Sequence, residues 1–358
     1  MAAKTYDYAI CGATTFAGLL AGQLATAHGK RVCLVGEAWS PYRLTRGIDL
    51  SVMPATRPET WIMLKRSGAE TLKVLGSIGR GLYERVDPLF VADLPASADY
   101  LGHMRWVALG LGFAAERAVD RTIVEHGAIC RIRDAAMLVE GKAEPAIEAW
   151  LARAGVGRLA ANAAITVRKD GVASIAHAGE TSEAQTIILA DDEALLGRLA
   201  PGERHRLLTV APRTSLLADI GRPLGNALIA YLDRDTVLRQ RAGKGPVLAL
   251  AAGEPDHALP RIASCLVAQG HPRRAGQARF LTVGTRDGAP LIGRMGKGRF
   301  TAIAGLGFSA AFLAPLVARC IAGAAADEER AWFEARDVTH AGNRQSVAEL
   351  VPAAELAP

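Results

Sequence analysis

The strongest constraint on this chain is the junction at residues 8–18. A short apolar run, Tyr8-Ala9-Ile10-Cys11, reads as a buried strand, and a helical stretch over 16–28 follows it almost at once, stopped by Gly29. Between the two lies Gly12-Ala13-Thr14-Thr15-Phe16-Ala17-Gly18. A second apolar strand at 31–35 ends in Gly36-Glu37, so the first forty or so residues predict a βαβ unit. Such a unit sets the start of its helix beside the ends of both strands. Unpaired N–H groups and the positive end of the helix dipole gather there, an arrangement that suits a pyrophosphate. Glycines let the backbone approach the ligand, and a carboxylate at the end of the second strand, here Glu37, can accept from ribose hydroxyls. Glu37 follows Gly12 by about twenty-five residues, against roughly twenty in the usual dinucleotide fold. The loop departs from G-x-G-x-x-G: Thr14 or Thr15 stands where a glycine would, crowding a pyrophosphate while offering it a hydroxyl. Arg43 and Arg46 lie just beyond, either reaching the pyrophosphate or solvated in a loop.

Composition narrows the field further. A chain of 358 residues, half of them hydrophobic, is long enough for about two domains with a substantial core. The net charge of +6 is scattered, with its densest run at 271–274 and no aromatic interleaving, so nucleic acid is not the expected partner. Five cysteines (11, 33, 130, 265, 320) never pair as C-x-x-C, which argues for reduced thiols and a cytoplasmic setting. The eight histidines show no metal-binding spacing, and neither a G-x-S-x-G elbow nor a P-loop is present, so no metal is expected. No signal peptide is evident at the start. Residues 300–325 carry one charge, Arg319, and are long enough to span a bilayer. Gly305, Gly307 and Pro315 interrupt them, and a buried strand followed by a buried helix is the expectation instead.

Further along, 60–75 and 146–153 read as helices. Residues 165–167, 172–178 and 185–190 read as strands of a meander, joined by Lys169-Asp170-Gly171 and Gly179-Glu180. Residues 201–280 are strand-rich and irregular. The end returns to a strand at 300–304, a glycine turn and a helix through 321, with a loose tail after Ser346.

Taken together, these pieces resemble the D-amino-acid oxidase superfamily, with glycine oxidase, sarcosine oxidase and related amine dehydrogenases. Arg286-Asp287-Gly288-Ala289-Pro290-Leu291-Ile292-Gly293 matches the family's D-G-x-P-x-I-G turn. The strand at 300–304 and Gly305-Leu306-Gly307-Phe308-Ser309-Ala310 match the loop that brings a helix start to the flavin ring. Glu144-Pro145 with Trp150-Leu151 is similar to the family's P-x-x-L helix, Ile165-Thr166-Val167 to its adenine-contacting strand, and Thr186 to Ala190 to the strand that returns to the first glycine loop. The resemblance implies bound FAD, held through Gly12, Thr14, Thr15, Phe16, Gly18, Glu37, Arg43, Arg46, Ile165, Ala190 and the Gly305–Ser309 loop. It implies hydride transfer from a carbon next to an amine nitrogen to flavin N5, for which no acid–base side chain is nominated. A small-molecule amine or amino acid is the implied substrate, and a partner subunit or a separate electron acceptor is open.

The fold expected is α/β. Residues 1–55, 130–200 and 281–326 form an FAD-binding domain with a mainly parallel sheet and a β-meander; 56–129 and 201–280 form a mainly antiparallel substrate domain, and 327–358 a C-terminal tail. Three departures bear on function. Ala190-Asp191-Asp192 replaces Ala-x-Gly, and its carboxylates would repel phosphate unless they point away or bind a ribose hydroxyl. Ala310 replaces a late glycine. Thr282 stands where the family's substrate-clamping arginine would be, leaving Arg279 or Arg286 as a possible substitute, unless both are exposed arginines with no substrate role. Two other readings remain: a degenerate flavin fold kept as a non-catalytic binding partner, and a short-chain NAD(P) reductase, which lacks its Y-x-x-x-K here.

Overall fold

The computed structural model describes residues 4–168, 170–241, 245–270 and 272–341. Lys169 of the expected turn, His271 of the basic run and the expected loose tail after Ser346 lie outside the described residues.

The chain opens with β1 (Lys4–Cys11), α1 (Thr15–Thr26) and β2 (Val32–Val35), the expected βαβ unit. Next come α2 (Pro58–Ile78), β3 (Tyr83–Val86), β4 (Leu89–Ala92), α3 (Pro95–Gly110), β5 (Ala115–Ala118), β6 (Ala128–Ile132) and β7 (Ala135–Leu138). The middle holds α4 (Glu140–Arg153), β8 (Gly157–Leu159), β9 (Ala164–Val167), β10 (Ala173–His177), β11 (Glu180–Leu189), α5 (Asp192–Arg198) and α6 (Pro201–Arg204). Then follow β12 (Leu208–Asp219), β13 (Leu228–Tyr231), β14 (Thr236–Arg239), β15 (Val247–Ala252), α7 (Pro255–Cys265) and β16 (Arg273–Thr285). The chain closes with β17 (Leu291–Met295), β18 (Phe300–Ala304), α8 (Ala310–Ala322) and α9 (Asp327–Glu334).

One sheet is assembled from distant stretches in the order β17-β18-β11-β1-β2-β8, with β9 and β10 extending from β11 as an antiparallel meander. Its centre is parallel: Ile10 lies opposite Ile188 on β11 and Leu34 on β2. These strands are apolar because helices or other chain cover both faces, the usual condition of a parallel sheet. Helix α1 is buried from Thr15 to Leu24 with no polar face, as a helix enclosed on all sides must be. It packs against α4 and α8, whose Phe312, Leu313 and Ala314 are fully buried. Burying each Phe or Leu side chain contributes about 1.5–3 kcal/mol.

The second sheet, β16-β12-β15-β14-β13-β4-β6-β5, is antiparallel except where β13 meets β4. Alternation along its strands sends Leu216, Ala249 and Ala251 to α7, while Leu250, Phe280 and Phe90 join the core containing α1, α2 and α8. The 300–325 stretch is a strand and a thirteen-residue helix broken by a glycine turn. Among the described residues no single helix is long and apolar enough to cross a membrane. Helix α9 docks on α2: Trp332 is buried and its Nε1 donates to Thr60 Oγ1 at 3.1 Å, and Arg336 Nη2 donates to the same oxygen at 2.8 Å.

Candidate functional site

The C-terminal ends of β1 and β2 meet the start of α1 at one edge of the first sheet. Thr14 is the cap of α1, its Oγ accepting from Ala17 N–H at 3.3 Å, so the threonine that replaces a glycine satisfies one orphan donor of the helix. Gly12 N–H donates to the Val35 carbonyl at 2.9 Å. The turns after β1 and β2 approach so closely that a Cβ on Gly36 would lie 2.2 Å from the Gly12 carbonyl oxygen, a contact only glycine avoids.

Two hollows flank this loop. The larger, about 320 Å³, is lined by Gly12, Ala13, Gly36, Glu37, Ala163, Ala164 and Asp191 among others. Its size is that of a small-ligand site, and it runs from the strand ends to the meander. The smaller, about 30 Å³, lies under Thr14, Thr15, Trp39, Arg43, Glu144 and Arg158 and has room only for water.

The charges around the loop satisfy one another. Asp191 crosses to it: Ala13 N–H donates to Asp191 Oδ2 at 2.6 Å, and Ala194 N–H donates to Oδ1 at 2.8 Å, so one carboxylate caps α5 and closes the glycine turn. Burial pushes the Asp191 carboxyl up, opposed by those two hydrogen bonds and by Arg46 and Arg43. Arg43 pairs with Glu37 and Arg46 with Glu193. Arg158 donates to the Glu37 carbonyl at 2.5 Å and pairs with Glu148 at 3.1 Å, and burial lowers its pKa. Burial, then repulsion from Glu140, pushes Glu144 up to about 7.

The second glycine loop stands on the other side of the segment before Leu50. Gly305 and Gly307 have φ of +71° and +59°, a left-handed backbone that favours glycine. The Phe308 carbonyl accepts from Leu50 N–H and Ser309 Oγ donates to the Leu50 carbonyl, both at 2.8 Å. Asp49 accepts from the Thr15 hydroxyl and from Ala311 N–H, so it bridges the starts of α1 and α8; burial, then Glu140, pushes it up to about 7. Its neighbours in sequence also tie the segment after β2 to the second sheet, since Ser215 Oγ on β12 donates to the Thr45 carbonyl at 3.0 Å.

Most of the expected site residues therefore converge. Gly12, Thr14, Thr15, Phe16, Gly18, Glu37, Arg43 and Arg46 surround the first loop, and Gly305 to Ser309 form the second, with Leu306 and Ser309 buried. Ala190 is buried, its N–H donating to the Cys11 carbonyl at 2.9 Å, and Ile165 sits on the meander next to Ala164 at the larger hollow. Arg279 does not join them. By its pairing with Thr214 and Ala251 it occupies the α7 face of the second sheet, where its Nη2 bonds Glu254 at 2.6 Å. The arginine on the core-facing side is Arg213, opposite Phe280 and paired with Asp235. Asp49, Glu144, Arg158 and Arg213 were not legible as site residues. Only Asp49, a lone charge inside the apolar run Gly47-Ile48-Asp49-Leu50, carried a signal.

The groups around the loop are of the kinds a dinucleotide would need: N–H donors at the start of α1 and on Arg43 and Arg46 for phosphates, the Glu37 carboxylate to accept from a ribose, and the hollow of about 320 Å³ beside the meander. One of those donors, Ala13 N–H, is already held by Asp191. A pyrophosphate there requires Asp191 to give up that bond.

The fold is shared with solved structures. Glycine oxidase from Geobacillus kaustophilus superposes with a TM-score of 0.69 at 15% identity, over 91% of this chain and 95% of that one. L-Proline dehydrogenase from P. horikoshii gives 0.70 at 13% identity, over 93% and 97%. Iminodiacetate oxidase from Chelativorans gives 0.65 at 16%, over 88% and 94%. The chain shares its fold with these amino-acid oxidases and dehydrogenases, the α/β fold its motifs led us to expect. No family model and no curated protein matches the sequence.

Proposed function

We propose that the chain is an FAD-dependent oxidoreductase acting on the C–N bond of an amine or amino acid. The observation that carries this is the hollow of about 320 Å³ between Gly12, Glu37 and Ala164, in a fold shared with amino-acid oxidases and dehydrogenases. In this reading the start of α1, with Arg43 and Arg46 released from Glu37 and Glu193, binds the pyrophosphate. Glu37 then accepts from the ribose, and Ala164 and Ile165 pack on the adenine. The loop from Gly305 to Ser309 orients the ring against the core-facing side of the second sheet. Bound FAD supplies the hydride acceptor. The chain's own part is to bind, orient and exclude water, which needs no acid–base residue.

On that sheet face Thr282 offers no charge and Arg213 is neutralised by Asp235, so neither of these two positions gives a free carboxylate an unpaired cation. The reading therefore favours amines or larger, mainly apolar substrates over glycine or D-alanine. Flavin content tests the function: the purified protein should be yellow or take up added FAD, and release FAD on denaturation. Protein that stays colourless in excess FAD would favour the second reading, a non-catalytic flavin-fold partner. The observation behind that alternative is the pair of carboxylates, Asp191 and Asp49, standing at the two helix starts.

A further inference from the structure

We propose that Asp191 is a resident anion that occupies the phosphate position of the nucleotide site, so that the site discriminates against ligands carrying a pyrophosphate until this carboxylate withdraws. The inference deepens the reading above and rests on its assignment of the larger hollow to a nucleoside.

The geometry is specific. Asp191 is the cap of α5, a different part of the chain from the glycine loop, yet its Oδ2 takes the Ala13 N–H at 2.6 Å. A Cβ placed on Gly12 would lie 3.0 Å from the same oxygen, so the carboxylate fills the space that Gly12 leaves open. A backbone N–H at a glycine turn before a helix is what a phosphate oxygen would seek. A carboxylate and a phosphate cannot share it, and two anions within about 4 Å repel strongly in a half-buried setting. The surrounding charges do not relieve the conflict. Arg46 and Arg43, from the segment after β2, favour the charged form of Asp191 while paired with Glu193 and Glu37. On α5 itself Asp192 adds a like charge and Arg198 an opposite one, and Cys11 at the end of β1 is a thiol pushed up to about 12. A nucleoside without phosphates meets none of this repulsion, because its ribose would face Glu37.

Asparagine is the decisive substitution. It caps a helix as well as aspartate does but has a single acceptor oxygen, so while that oxygen holds Ala194 N–H the Ala13 N–H is released and the charge is gone. Isothermal titration of wild type and Asp191→Asn with adenosine and with ADP at pH 8 separates the effects. Adenosine should bind both proteins with similar affinity. ADP should bind the variant about tenfold more tightly than wild type, as loss of one close like charge implies. Asp191→Ser, which retains a capping hydroxyl, should follow the asparagine variant, and thermal melting confirms that both fold. Equal ADP affinity in all three proteins would overturn the proposal, as would failure of every protein to bind either ligand. If the variants gain ADP while no protein takes up FAD, the proposal stands and the flavin function fails.

Discussion

The starts of α1 and α8 meet the same problem in different ways. Each exposes backbone N–H groups toward the site, and each is met by a carboxylate of the chain itself. At α1 the acid is Asp191, brought from α5 and attached to the loop by one bond to Ala13. At α8 it is Asp49, which joins Ala311 to Thr15 and sits one residue before Leu50, whose backbone is latched to Phe308 and Ser309. On our proposal the first gives way to a ligand. The second is part of the packing between two core helices, and removing it disturbs more than a ligand contact. One orphaned helix end can thus be a reversible ligand position or a structural joint, according to what else the capping residue holds.

The largest expected effect comes from striking the α1 side at its tightest point. In Gly36→Ala the new methyl would collide with the backbone of Gly12, not with a side chain able to turn away. Both strand ends must part, and we expect a loss of more than about 3 kcal/mol in stability together with loss of nucleotide binding. Denaturant unfolding measures it; a change below 1 kcal/mol would show that the turns are not in contact.

The two sides together predict a pH effect. Burial holds Asp49 and Asp192 up to about 7, and Glu144 likewise. Unfolded carboxyls titrate near 4, so between these values the native chain keeps protons that the unfolded chain has released. Stability from these groups is therefore fullest below about pH 4, falls as pH rises through about 7, and levels off above it. The melting temperature should be roughly 3–6 °C higher at pH 5.5 than at pH 8.5. Glu254 and Glu329, which their arginine partners hold down, remain ionised across that range and do not mask the trend. Asp49→Asn should flatten part of the slope. A melting temperature that rises with pH would contradict the buried placement of all three acids.

The smallest effect is expected at the α1 cap. Thr14→Gly removes the 3.3 Å bond to Ala17 N–H, and glycine is itself a tolerable cap, so the cost should be a few tenths of a kcal/mol. Nucleotide affinity should hold or improve, since the substitution brings the loop nearer the usual pattern. A large loss of binding on Thr14→Gly would mean that the hydroxyl itself contacts the ligand.

Much of the fold was legible because it rests on local pattern. The apolar run 8–11, the helix after it and the strand at 300–304 appear where the periodicity puts them, to within a few residues. The helix expected over 146–153 instead begins at Glu140 and carries Pro145 in its second turn, where the ring removes the N–H that would have met the Gly141 carbonyl. Helix α9 lies in the segment read as a tail, and its charged sequence hides that Trp332 is buried against α2. Half of the site was legible for the same reason: glycine turns and the acid that ends β2 have fixed spacing along the chain.

What the sequence alone determined was the set of elements, their βαβ beginning and the glycine loops that bring helix starts toward a ligand. These follow from apolar spacing and backbone conformation, both properties of neighbouring residues. Tertiary structure alone decided which charge meets which loop. Asp191 reaches Ala13 because β11 pairs with β1, Asp49 reaches Ala311 because α8 packs on α1, and Arg279 misses the site because strand alternation turns it toward α7. Electrostatic partners are selected by distance in space, and register and packing, not order along the chain, set that distance.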